Sequence, residues 1–451
     1  MERLLKIGSI VLLAAVAIGF IVTDGGAASI LVIAIFSFLF IQIFRKYSED
    51  KGFITWIFLG ALAARLAFGL FVHVYDLREF FGGDANTYDF RGWALASQWF
   101  GNAPMLNPEV RLALQTRGSG WGMYYLVAVI YSVIGRNILV AQSFCSVIGA
   151  ATAPMVYFCA QKVFQSNRVA ATAAALTAFF PAFIIWSGQL LKDGLIIFLL
   201  VLAMTLVLEL QERFSVTAVI LLILSIGGIL TLRFYIFYMV AVAIAGSFVI
   251  GLTSSTQALI RNTIILVLVG VGLTYVGVVR NAATQLETFG TVDQLKRSRQ
   301  DLAQSAKSGF GEDVDVTTSE GAISTIPIGF AYLMFAPFPW QLGSLRQSIT
   351  LPEILVWWAM IPILAWGLWW AVRYRLKRAF PILIFSLMLT LAYSIFIGNV
   401  GTAYRQRTQI QVFLFIFIAV GIQLWRERQE DKVLKRMSRG RARHMLGIRA
   451  T

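Results

Sequence analysis

An aspartate set behind two glycines, Gly82-Gly83-Asp84, opens a stretch that continues Ala85-Asn86-Thr87-Tyr88 and stays aromatic and amphipathic to Phe100. A turn there presents the Asp84 carboxylate just above an apolar layer, where it could act as general base toward a hydroxyl. The plainer role is a helix cap. Asp89 is the second candidate base, and Glu79 and Asp76 are weaker ones. Cations stand at the ends of other apolar runs. Lys192 and Asp193 follow Trp186-Ser187-Gly188-Gln189, Arg233 divides two apolar runs, and Arg405 and Arg407 close the stretch from Asn399. A guanidinium binds phosphate through a planar donor fork. A Tyr-Arg-Gln-Arg element at a helix start therefore suits a lipid phosphate. Any one of these cations could simply snorkel to headgroups. Together they suggest a cationic pocket beside a carboxylate loop, and ionisable groups at membrane depth are costly and usually functional. Arg65 lies inside an apolar run and could pair with a loop carboxylate or structure the bundle.

These residues must be positioned by a membrane fold. The chain has 451 residues, 58% hydrophobic and 14% charged, with a mean hydropathy of +0.75; a soluble domain carries about 25% charged residues. Apolar runs of about 20 residues, enough to span, recur along the whole length. The expected fold is all-α and polytopic, with about 12 transmembrane helices. They are expected near 7–23, 27–44, 53–75, 138–161, 168–187, 190–208, 216–232, 234–252, 261–279, 353–372, 380–397 and 409–425. Two shorter stretches, 121–134 and 322–336, read as interfacial or re-entrant. The first run ends at Thr23-Asp24-Gly25-Gly26 without an evident cleavage site and reads as a permanent helix.

The formal charge of +15 fits the positive-inside rule rather than a nucleic-acid partner. Arg45-Lys46, the cluster Arg373, Arg375, Lys377 and Arg378, and the tail 426–451 fall on one side, which makes both termini cytoplasmic. The basic tail then anchors on anionic membrane lipid. The unit 1–425 carries two long loops on the other side, near 76–120 and 280–350, and loops of that length are usually functional or disordered. The second holds a polar segment, Thr291–Ser308, and the acids Glu312, Asp313 and Asp315. Cys145 and Cys159 lie fourteen residues apart on one helix, about 21 Å, too far to bridge. His73 and His444 are far apart, and no metal-ligand spacing is visible. No internal repeat is evident, which disfavours an inverted-repeat transporter.

The stretch Phe81 to Tyr88 with its aromatic continuation resembles the first outer loop of GT-C membrane glycosyltransferases. These include the polyprenyl-phosphate-mannose protein mannosyltransferases and the lipid A aminoarabinose transferases. Similar in kind are Gly120 through Tyr124, Ile130-Tyr131, Gly135, Phe180-Pro181, Ser187 through Gly194, and the Arg405/Arg407 element. The resemblance implies a sugar donor on a polyprenyl phosphate and a glycan, lipid or protein acceptor. It implies an active site on the extracytoplasmic face of a plasma (bacterial inner) membrane, and inversion at the anomeric carbon. The family's loop carboxylate matches Asp84. Its phosphate-holding cations match Arg405 and Arg407, with Arg233 and Lys192 nearby and Asp193 and Arg65 in support. No cofactor is required; a divalent cation is possible but not indicated. The mannosyltransferases carry a tandem acidic pair where this chain has Asp84-Ala85. The competing readings are a polysaccharide polymerase or ligase using lipid-linked sugars, a transporter or lipid flippase, and a structural assembly protein.

Overall fold

A computed structural model describes residues 2–102, 107–115, 120–250, 256–289, 309 and 319–445. Apolar runs close into helices because, in lipid, every backbone N–H and C=O must find its partner within the segment. The chain opens with α1 (Glu2–Ile21), α2 (Gly26–Tyr47) and α3 (Lys51–Val74). Asp50 caps α3, its carboxylate accepting from the Phe53 N–H at 2.9 Å. The described part of the first long loop folds into α4 (Arg78–Phe81), α5 (Asp84–Trp99) and α6 (Pro108–Gln115). There follow α7 (Gly122–Ile134), α8 (Ile138–Phe164), α9 (Asn167–Phe179), α10 (Pro181–Ser187) and α11 (Asp193–Glu212). Next come α12 (Val216–Leu232), α13 (Phe234–Ile250), α14 (Thr256–Tyr275) and α15 (Val278–Phe289). The polar segment Thr291–Ser308 and the acids Glu312, Asp313 and Asp315 lie outside the described residues. The chain closes with α16 (Ser319–Phe335), α17 (Leu345–Phe396) and α18 (Val400–Met445).

This is a polytopic, all-helical membrane protein. Among the described residues seven helices are long and apolar enough to cross a bilayer, or nine if the bent pairs α9–α10 and α14–α15 each count as one span. The sequence led to about twelve, and the count differs for two reasons. Helices α12 and α13 have 17 residues each, about 25 Å of rise, at the lower limit for a span. The stretches 353–372 and 380–397 share the 52-residue α17, interrupted only by non-helical backbone at Arg375. Helix α7, with 13 residues, is too short to cross and packs along α5. There a Cβ on Gly92 would stand 2.4 Å from the Val127 side chain, so glycine sets how closely the two helices approach. Helix α8 is the centre of the bundle, with 83% of its apolar window buried, against 17% and 22% for the peripheral α1 and α2. Helix α18 passes residue 425 unbroken, so the basic tail continues the last helix.

Two buried arginines hold carbonyls where helices end. Pro181 has no N–H and so cannot donate to the Thr177 carbonyl, and α9 bends by 56° into α10. Arg65, fully buried on α3, supplies the missing donors: Nη2 to Thr177 O at 3.3 Å and Nη1 to Ala178 O at 3.0 Å. Its Nε donates to Ser187 Oγ at 2.8 Å, which fixes the far end of α10. Arg65 therefore structures the bundle, the second of the two roles open to it, and among the described residues pairs with no loop carboxylate. Arg407 donates to carbonyls left without helical partners where α16 ends. Its Nη1 donates to Met334 O at 2.9 Å and its Nη2 to Ala336 O at 2.8 Å. Trp357 and Trp358 donate to Met334 O and Phe335 O at 2.7 and 3.1 Å.

Arg65→Ala is expected to lower thermal stability in detergent by about 1–3 kcal/mol for each carbonyl left without a donor. Arg65→Lys should recover part of the loss. Melting unchanged by Arg65→Ala would refute the bracing role.

Candidate functional site

At one end of the bundle four helix starts or breaks meet: the first turn of α5, the non-helical link from α10 to α11, the α12–α13 break, and the first turns of α18. They bring Asp84, Lys192 with Asp193, Arg233 and Arg405 respectively. Arg405 lies at the centre. Its Nη1 donates to Asp84 Oδ2 at 2.6 Å and its Nε to Asp193 Oδ2 at 2.6 Å. The guanidinium also lies 5.5 Å from the centre of the Trp186 ring, within cation–π range. Asp193 is fully buried and occupies the first turn of α11, where the helix dipole favours an anion. Its Oδ1 accepts from Arg233 Nη2 at 3.4 Å. Arg233 ends α12 in extended backbone and lies 5.9 Å from the Tyr235 ring centre. The depths are graded: the Asp84 side chain is 50% exposed, Arg405 16%, and Asp193 0%.

Lys192 precedes Asp193 and is covered by the loop leading into α7. A Cβ at Gly120 would stand 2.6 Å from Lys192 Nζ and 2.8 Å from the Leu232 carbonyl, and Gly120 has φ +99°. Only glycine combines that backbone with that approach. Burial, reinforced by Arg233, pushes the Lys192 ammonium down to about 8. Three cations and two carboxylates leave the cluster with a net positive charge, suited to a phosphate.

The sign of a pH effect follows. Below about 8 Lys192 is charged, and as pH rises through that value it loses its proton and the cluster loses one cation. Affinity for a phosphodiester anion, whose own charge is constant in this range, is expected to be flat from pH 6 to 7.5 and to fall above pH 8. The fall should approach tenfold per pH unit. Lys192→Met should abolish the fall. A wild-type profile flat to pH 9.5 would remove Lys192 from anion binding.

The structure thus brings together Asp84, Arg405, Asp193, Arg233 and Lys192. It separates the other candidates from them. Asp89 lies five residues beyond Asp84 on the same helix, about 140° around it. It is bound to Arg136 Nη2 at 2.5 Å and accepts from the Tyr131 hydroxyl at 2.6 Å. That pairing clasps α5 to α7, and Arg136 is held above its ordinary value by the Asp89 hydrogen bond. Arg407 is spent on the α16 carbonyls and Arg65 on α9. Asp76 pairs with Arg78 at 2.9 Å, and Glu79 accepts from Asn86 at 2.5 Å. No group of three or more metal-ligating side chains occurs among the described residues.

Sequence reasoning passed over Trp186, which stacks on Arg405, and Tyr404, whose hydroxyl donates to Glu353 Oε2 at 2.6 Å. It also passed over Arg346, which lines a cleft of about 250 Å³ next to Arg405. An indole one turn from a helix break beside a lysine was a legible signal; the partners of Tyr404 and Arg346 lie too far away in sequence to be read. No protein family, no curated protein and no solved structure matches this chain.

Proposed function

We propose that the protein is a membrane glycosyltransferase of GT-C type. It moves a sugar from a polyprenyl-phosphate donor to an acceptor hydroxyl on the extracytoplasmic face, with inversion. The observation that carries this reading is the meeting of Asp84 and Arg405, 321 residues apart in sequence, at 2.6 Å. A carboxylate at the rim is thereby set on a cation backed by Asp193, Arg233 and Lys192. Arg45-Lys46 end α2, one helix before the loop that carries Asp84, and Arg373–Arg378 lie midway along α17, one half-helix before Arg405; under the positive-inside rule this spacing supports an extracytoplasmic site.

A donor phosphate entering against Arg405, Lys192 and Arg233 competes with Asp84 for the Arg405 Nη1 edge. Once displaced, the Asp84 carboxylate is free to take the proton of the acceptor hydroxyl. The hydroxyl oxygen attacks the anomeric carbon from the face opposite the phosphate, and the bond from that carbon to the phosphate oxygen breaks. The lipid phosphate leaves with the electron pair, and its growing charge is met by the fixed cations. One displacement gives one inversion. The test is transfer from a synthetic sugar–phosphate–polyprenyl to hydroxyl acceptors in nanodiscs, with the anomeric configuration read by NMR. Inverted product supports the reading; retained configuration, or no transfer from any sugar tried, counts against it.

A second reading, a transporter or lipid flippase, draws on a separate observation. A cavity of about 830 Å³ opens at the other end of the bundle, near Asp50, Arg168 and Arg426, and reaches Glu353. Glu353, which lines this cavity, accepts from the hydroxyl of Tyr404, which lines the cleft beside Arg405. Movement of a fluorescent polyprenyl phosphate between leaflets, without sugar transfer, would favour that reading.

A further inference from the structure

The cleft beside Arg405 is lined by Phe80, Gly82, Trp186, Arg346, Asn399 and Arg405 among others, and it does not touch Lys192, Asp193 or Arg233. The phosphate-suited cluster and this cleft therefore meet only at Arg405, the residue that also holds Asp84. A base at such a junction has the donor on one flank and leaves the other for a second substrate. The second flank has two chemical features. Aromatic rings, Phe80 and Trp186, offer apolar faces of the kind that pack on the C–H surface of a sugar ring. A second arginine stands at the rim: Arg346 is exposed, lies 5.6 Å from the Phe80 ring centre, and donates Nη2 to the Glu79 carbonyl at 3.2 Å. That bond comes from the segment leading to Asp84, so Arg346 is oriented by the loop that carries the base. Among the described residues one nitrogen is used, and the rest of the fork can meet a planar or tetrahedral anion.

We propose that this cleft seats the acceptor, and that Arg346 selects an acceptor sugar bearing an acidic substituent, a carboxylate or a phosphate. The inference rests on the transferase reading for the word acceptor; the acidic-sugar site itself stands on the cleft and Arg346. A neutral sugar would leave Arg346 facing an unoccupied position, while an acidic one gains a charge-assisted hydrogen bond.

The test is NMR titration of the nanodisc-embedded protein with methyl glucoside, methyl glucuronide and methyl glucoside 6-phosphate. At least one acidic probe is expected to bind about tenfold or more tightly than the neutral glucoside, the scale of one hydrogen bond to a charged group. Which acidic probe wins separates carboxylate from phosphate. Arg346→Gln should erase the preference and Arg346→Lys should keep part of it. Thermal stabilisation by a polyprenyl-phosphate sugar, measured in parallel, should be the same in all three proteins. Equal affinity for the three probes, no binding of either acidic probe, or a preference surviving in Arg346→Gln would overturn the proposal. If donor stabilisation is absent while the acidic preference holds, the transferase reading falls and the acidic-sugar site remains.

Discussion

Asp84→Asn is expected to lower sugar transfer by roughly 10²–10⁴-fold, the usual worth of a positioned general base, with folding and donor binding preserved. The amide keeps the size of the side chain and an oxygen that can still accept from Arg405. The substitution removes the charge and with it the ability to take a proton. Donor affinity should be equal to wild type or higher, because the carboxylate that competes with phosphate for Arg405 has been neutralised. The measurement is single-turnover transfer alongside donor binding for both proteins. Turnover within a few-fold of wild type would take the base away from Asp84. It could not pass simply to Asp89, which is already bound by Arg136 and Tyr131.

The second large effect is expected at Arg405. Arg405→Lys keeps a cation but loses the fork that spans Asp84 and Asp193, and donor affinity should fall by roughly 10–100-fold, the worth of one or two hydrogen bonds to a charged group. Arg405→Ala should lose donor binding altogether. It should also lose stability of about 3–5 kcal/mol, because buried Asp193 would keep only the 3.4 Å contact with Arg233. The lysine variant separates binding from folding. Arg407→Ala provides the contrast: stability should fall as the Ala336 carbonyl loses its donor and Met334 keeps only Trp357, while donor affinity in the protein that stays folded should not change. Equal loss of donor affinity in the Arg405 and Arg407 variants would contradict the division of labour between them.

Much of this arrangement was legible in the residues. Apolar runs of span length became helices, since lipid leaves the backbone no alternative. Asp84, Lys192, Asp193, Arg233 and Arg405 could be picked out because each is charged where an apolar run starts or stops. The errors came from where helices begin. Reading 399–407 as a lead into a span starting at 409 let Arg405 and Arg407 share one site. The helix starts at Val400, and two residues along a helix is a rotation of about 200°, so the pair point to opposite sides. Asp89, the second candidate base, lies about 140° around α5 from Asp84 and is held by Arg136 and Tyr131 instead. The roles of Arg65 and Arg407 were hidden because their partners are carbonyls left over where α9 and α16 end, far away in sequence, and a carbonyl leaves no mark in residue type. The expected spans 353–372 and 380–397 lie on the two halves of α17, divided at Arg375.

The most direct test of the central claim is thermal stabilisation of the purified protein by a panel of polyprenyl-phosphate sugars. At 100 times its dissociation constant a true donor should add about 2.7 kcal/mol. The expected result is a shift with one sugar or a few, retained in Asp84→Asn and lost in Arg405→Lys combined with Lys192→Met. No shift with any sugar, or a shift that survives the double substitution, would contradict a lipid-phosphate donor site at Arg405.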